Sequence, residues 1–230
     1  MRRGGGGRVT WRVFVANWRT GARPVQLDEF AGMLTSENDA ENYPPDPVTN
    51  GRDVVWMRAP RPDGILGDVQ IARWNGAATT VVHRGPATYS IDDKGRIAFG
   101  RPMNGAATSW ELMLLDEKGA HRLARRPESG APYLAGAKVA WARTTGALTT
   151  LDIVDVTSGA MRTVTQEGCL SVGATVRHAV FSCGQKRARV VGVEDSTMME
   201  VIGAYWRADP HAIIGRSPID GRWAVAPVSD

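Results

Sequence analysis

The stretch SIDDKGRIAFG (residues 90–100) returns near the end of the chain as SPIDGRWAVAP (residues 217–227). In both, a serine and an aspartate precede a Gly-Arg step, and a short run of strand-forming residues follows. Gly supplies the positive φ that a tight turn needs, and Asp closes such turns through its side chain. Dense β-branched and aromatic usage after the turn reads as a strand. A turn-plus-strand unit that occurs twice directs the reading to a repeat architecture.

Four segments align on a small or basic start and a strand that carries an aromatic: GRDVVW (51–56), GRIAFG (95–100), GAKVAW (136–141) and VRHAVF (176–181). Their aromatics Trp56, Phe99, Trp141 and Phe181 are 43, 42 and 40 residues apart, and Val225 falls 44 further on. A second marker, strand–turn–strand, runs out of phase with the first. It is centred on Asn17, Asn75, Asp116, Asp155 and Glu194, spaced 58, 41, 39 and 39. No window shows a 3.6-residue period.

A period of about 40–45 residues holding four short strands is the signature of a β-propeller blade. With strands named a to d from the axis outwards, the aromatic segments are strand b and the turn-marked hairpins are c–d. Strand a precedes each b: ATYSI (87–91), APYLA (131–135), CLSVG (169–173), HAIIG (211–215) and, least distinctly, PDPVT (45–49). Residues 1–8 read as a Gly-rich tail and 9–230 as one propeller domain. The segment Val9–Ala16 leads straight into a c–d hairpin, four full units follow, and the last residues give a and b. The expectation is five four-stranded blades closed by Trp223–Ala226 pairing beside Val9–Ala16. The alternative is a fragment of a six- or seven-bladed propeller.

The segments SPIDGRWAVAP, SIDDKGRIAFG and NGRDVVWMR resemble the repeat of TolB-type, WD40-like propellers, at about one match per blade from residue 45 onward. The resemblance implies a bacterial, often cell-envelope, scaffold that binds proteins or a cell-surface ligand. It transfers no catalytic residue, and the motif's role is to shape the a–b turn. Function has to be argued from a site rather than from the fold.

The chain has 230 residues, 43% apolar and 23% charged, with formal charge +4. Its 28 basic residues include only four lysines, so arginine dominates. No apolar run reaches the roughly 18–20 residues of a membrane helix. The start MRRGGGGRVTW lacks the apolar stretch of a secretory signal. Its glycines lack the Gly-Lys-Ser/Thr ending of a phosphate loop.

In a propeller the b–c and d–a connections share one face, and the long irregular segments fall there: TSENDAENYPPDP (35–47), PRPDGILG (60–67) and RPMNGAATS (101–109). Long loops on a rigid scaffold are where binding usually sits. Arg58, Arg61, Arg101, Arg143 and Arg187 belong to the b–c connections, and Arg84, Arg125, Arg126 and Arg207 to the d–a ones. Tyr205 and Trp206, in GAYWRADPH, are the aromatic ligand candidates; the other tryptophans read as packing between blades. The arginines are either ordinary loop residues or a mainly basic surface for an acidic protein segment or anionic glycan. No nucleic-acid module is visible. The acidic insertion Glu37, Asp39, Glu41 and Asp46 fits no calcium loop, so neither metal nor cofactor is expected, and the chain reads as a monomer.

Cys169 and Cys183 bracket one a–b hairpin as cross-strand neighbours. Such neighbours have Cα atoms about 4.5–5.5 Å apart, which a disulfide tolerates. A bridge would place the protein in the envelope or outside the cell, with a signal encoded upstream. Two buried thiols and a cytoplasmic chain are the other reading. No catalytic motif is present, and His83, His121, His178 and His211 occupy unrelated repeat positions. The competing function is a glycan-active enzyme built on an axial carboxylate pair drawn from Asp46, Asp92, Asp209 or Asp220.

Overall fold

The structure is a computed structural model that describes residues 8–16, 20–33, 47–58, 69–85, 87–103, 106–126, 130–175, 177–184, 186–202, 204–209, 212–216 and 222–227. Every regular element among them is a β-strand. They fall into two compact units, Met1–Ala87 and Thr88–Asp230.

The first unit holds a two-stranded ladder, β1 (Arg8–Val15) with β2 (Val25–Met33). Beside it is an antiparallel sheet of β3 (Val48–Thr49), β4 (Val54–Arg58), β5 (Gln70–Trp74) and β6 (Thr79–Arg84) in chain order. Val13 of β1 joins Val54, Trp56 and Ala72 in one core, with Leu27 and Trp74 against it.

The second unit holds two further sheets of the same plan: β7 (Thr88–Ile91) to β10 (Gly119–Arg126), and β11 (Ala131–Ala135) to β14 (Met161–Glu167). A third runs from β15 (Leu170–Ala174) to β18 (Met198–Ile202). Their middle strands are β8 (Ile97–Met103) and β9 (Ala106–Asp116), β12 (Lys138–Thr145) and β13 (Leu148–Asp155), and β16 (His178–Ser182) and β17 (Arg187–Gly192). Strands b of all four full blades are β4, β8, β12 and β16. The aromatics that set the repeat, Trp56, Phe99, Trp141 and Phe181, are all buried.

Within the larger unit, neighbouring blades interlock through Trp141 and Phe181. The Trp141 ring lies over Gly100 of the preceding blade, where an added Cβ would overlap Cη2. Ala98, Leu112 and Leu114 complete that contact from the same blade. The repeat motif does its work at the turn. Asp92 Oδ1 accepts from the Arg96 amide (2.8 Å) and Oδ2 from Arg96 Nε (2.7 Å), with Gly95 at φ 80°. Arg96 then reaches the Gly136 carbonyl of the next blade, and Ser90 Oγ accepts from the Leu134 amide at 3.0 Å.

Two expectations change. RPMNGAATS is not a long loop: β8 runs to Met103 and pairs with Ala106 at the start of β9, so the hairpin extends. GAYWRADPH is not a connection either. Ala204–Asp209 forms β19, which pairs with β20 (Ala212–Arg216) through Asp209↔Ala212. Aromatic residues such as its Tyr205–Trp206 pair favour strands.

β19 packs beside β15, so it takes the innermost place. β20 then stands as strand b, and β21 (Trp223–Pro227) as strand c. The last sheet is therefore three-stranded, and 21 strands are described in all. Closure by the two ends is not seen, and the alternative of a piece of a larger propeller stands. Among the described ladders β21 pairs with β20, as in Ile213↔Ala226, and β1 pairs with β2. The turn motif specifies a hairpin, and it does not specify which pair within a blade that hairpin is.

Candidate functional site

Two residues after each strand-b aromatic, the chain places Arg58, Arg101, Arg143 and Cys183. These positions lie at the b–c end of the sheets, and each is tied down within the protein. Arg58 Nε stands 3.3 Å from Asp28 Oδ2, which also accepts the Trp56 indole N–H at 2.8 Å. Arg101 donates from Nε (3.0 Å) and Nη2 (2.8 Å) to Glu111 Oε2 directly across the ladder, and Arg122 reaches Glu111 Oε1 at 3.2 Å. These two guanidinium contacts, Arg101 first, hold the Glu111 carboxyl below its ordinary range. Arg143 Nε lies 3.6 Å from Asp152 Oδ2, and Thr163 Oγ1 donates to Asp152 Oδ1 at 2.7 Å.

In the fourth blade a covalent link stands at this position. Cys169 and Cys183 form a disulfide just beyond the Leu170↔Ser182 pair, where strands a and b of that sheet begin and end. The a–b hairpin is thereby pinned at the same end as the arginine clamps.

Of the remaining expected site residues, Arg84 and Arg125 are exposed near the outer ends of β6 and β10. Arg126 ends β10, and Tyr205, Trp206 and Arg207 lie along β19. Arg61 and the acidic insertion of residues 37–46 lie outside the described residues, as do Asp46 and Asp220 of the carboxylate set. Asp209 ends β19. Asp92 is buried and both its oxygens are engaged by Arg96, which gives it the role of a turn brace.

Sequence reasoning missed a groove of about 200 Å³ at the opposite end of the strands, where the c–d turns of the second and third sheets of the larger unit meet. Lys138 Nζ bonds Glu194 Oε1 at 2.7 Å across it, and Arg162 Nη1 donates to the carbonyls of Val193 (2.9 Å) and Glu194 (2.6 Å). The hydrogen bond from Lys138 lowers the Glu194 pKa; amide and hydroxyl donation from Ser158 lowers that of Asp155. The groove is bridged by the contacts that hold the two blades together. The five charged or hydroxyl residues come from three separated stretches of sequence, so no local motif announces them.

Sheets of four antiparallel strands, with Trp141 and Phe181 of strand b packed against the preceding blade within the larger unit, have the plan of a β-propeller. No family model and no curated protein matches its sequence. Solved structures do match. TolB from Acinetobacter baumannii aligns with TM-score 0.53 at 12% identity, over 100% of this chain and 68% of that one. The β-propeller domain of the Trilobed protease from Pyrococcus furiosus aligns with TM-score 0.57 at 15% identity, over 80% and 69%. An oligogalacturonate lyase in complex with manganese aligns with TM-score 0.53 at 13% identity, over 90% and 71%. These likenesses show a β-propeller fold, as in TolB, and a fold alone does not settle what a chain does.

Proposed function

We propose that this chain is a non-catalytic propeller scaffold that binds an acidic protein segment or an anionic cell-surface ligand at the b–c/d–a end of its blades. The recurrence of arginine two residues after the strand-b aromatic in three successive blades carries this reading. Those arginines stand half-buried beside carboxylates, and Arg84 and Arg125 are exposed near the d–a ends of their own sheets. Arginine presents a planar, preorganised donor fork suited to carboxylates and to sulfate or phosphate esters. The buried carboxylates Asp53, Asp92 and Asp152 accept from arginine, hydroxyl or amide donors within their own sheets, which favours a structural over an acid–base role. The disulfide supports an oxidising compartment, the cell envelope or beyond.

The test is retention of the full chain on immobilised acidic peptides and anionic oligosaccharides, compared with the Arg84→Gln/Arg125→Gln variant. Selective retention that the variant loses supports the proposal. Equal retention by both proteins refutes the arginine end, and turnover of any oligosaccharide refutes the non-catalytic reading.

A further inference from the structure

The first and third full blades carry the same short sequence on strand b, Trp56-Met57-Arg58 and Trp141-Ala142-Arg143. In both, the tryptophan is wholly buried and the arginine two residues on stands partly exposed beside it. The first fork is filled. Asp28 Oδ2 accepts the Trp56 indole N–H at 2.8 Å and lies 3.3 Å from Arg58 Nε, so one carboxylate receives both side chains.

Among the described residues no carboxylate meets the indole of the second fork, while Arg143 has Asp152 beside it. The cross-strand neighbour of Trp141 is Asp152, and its oxygens face Thr163 and Arg143. Trp141 Nε1 is buried and has no hydrogen-bond partner among the described residues. Over it lies Gly130, half-buried and without a side chain; an added Cβ would overlap Nε1.

A buried donor left unpaired in a native structure needs a reason. Packing does not supply one, because Phe99 and Phe181 fill the same repeat position in the other two blades with no N–H to satisfy. We infer that the Trp141–Arg143 fork is a carboxylate-binding site, taking the carboxylate of an acidic peptide as its counterpart takes Asp28. This rests on the proposed function and gives it an address: the ligand's carboxylate enters at the b–c/d–a end past Arg143. Gly130 must move off the indole to admit it. The two donors then close on one carboxylate, as charge-assisted hydrogen bonds to an ionised acceptor.

The test uses the full chain labelled with ¹⁵N-tryptophan, whose indole N–H resonances report each side chain separately. Trp141→Phe identifies the signal, and Phe is the residue the equivalent positions already use. The probes are an Asp/Glu-rich peptide with an amidated C-terminus, a polar peptide with a free C-terminus and no acidic side chain, and that second peptide amidated. A saturable downfield shift of the Trp141 resonance with the first or second probe, but not the third, supports the site and tells a side-chain carboxylate from a terminal one. Arg143→Gln should weaken that binding about tenfold or more, as loss of a charge-assisted contact does. The Trp56 signal should stay still.

Silence of the Trp141 resonance while acidic peptide binds elsewhere overturns the site and leaves the proposed function standing. No peptide binding at all overturns both.

Discussion

Removing the Cys169–Cys183 bridge should destabilise the protein by an amount set by chain entropy. The two residues are 14 apart in sequence, and a loop of that size, closed covalently, withholds roughly 3 kcal/mol of freedom from the unfolded chain. The folded state keeps its ladder without the bond, since Leu170↔Ser182 pairs next to it and Thr149 Oγ1 still donates to the Cys169 carbonyl at 2.5 Å. The cost therefore falls almost wholly on the unfolded side. For a chain of this length about 2–4 °C accompanies each kcal/mol, so the double variant Cys169→Ala/Cys183→Ala should melt roughly 6–12 °C lower by circular dichroism. Either single alanine breaks the same bond, so each single variant, the double variant and the reduced wild type should melt together. Additive single effects, or a double variant that melts within a degree or two of the oxidised wild type, would refute the reasoning.

Gly100→Ala puts a methyl group into the Trp141 ring and within 3.1 Å of Thr88 Oγ1. Such overpacking costs about 1–3 kcal/mol in urea denaturation; most of it should vanish in a Trp141→Phe background, and an equal cost in both backgrounds would mean that the tryptophan is not the obstacle. Acid should weaken the fold in a defined direction. Glu29, Glu111 and Glu194 have pKa values held below the ordinary 4.5 by hydrogen bonds from Arg12, Arg101 and Lys138 respectively. Their stabilisation is complete above 4.5 and is lost as pH falls from there through the lower folded values. Melting temperatures between neutral pH and the acid limit should show that decline, with a shallower one for Glu111→Gln; identical acid slopes would count against the Glu111 clamp.

Much of the architecture was legible because it is local and periodic. APYLA at 131–135 is strand β11 residue for residue, and the four strand-b segments fall on β4, β8, β12 and β16. β-Branched runs, glycines at turns and aromatics about 40 residues apart fix these elements through short-range sterics and side-chain alternation. The Cys169–Cys183 pairing was also readable, since one hairpin register decides it.

What escaped the sequence lies in relations between elements. AYWRAD is a strand because AIIGR is there to pair with it, and the innermost place goes to β19 because it packs on β15. The same Gly-Arg turn serves whichever hairpin contains it. Arginines that look alike in sequence differ by their surroundings: Arg101 meets Glu111 head-on across a ladder, and Arg143 stands off Asp152 at 3.6 Å. The two Trp-x-Arg forks are the sharpest case. Their sequences predict one environment, yet Asp28 comes to Trp56 from a strand 28 positions away, while above Trp141 the chain supplies a bare glycine. Local sequence determines which side chains a strand presents. Only the packing of one blade on the next decides whether a donor presented there is already satisfied.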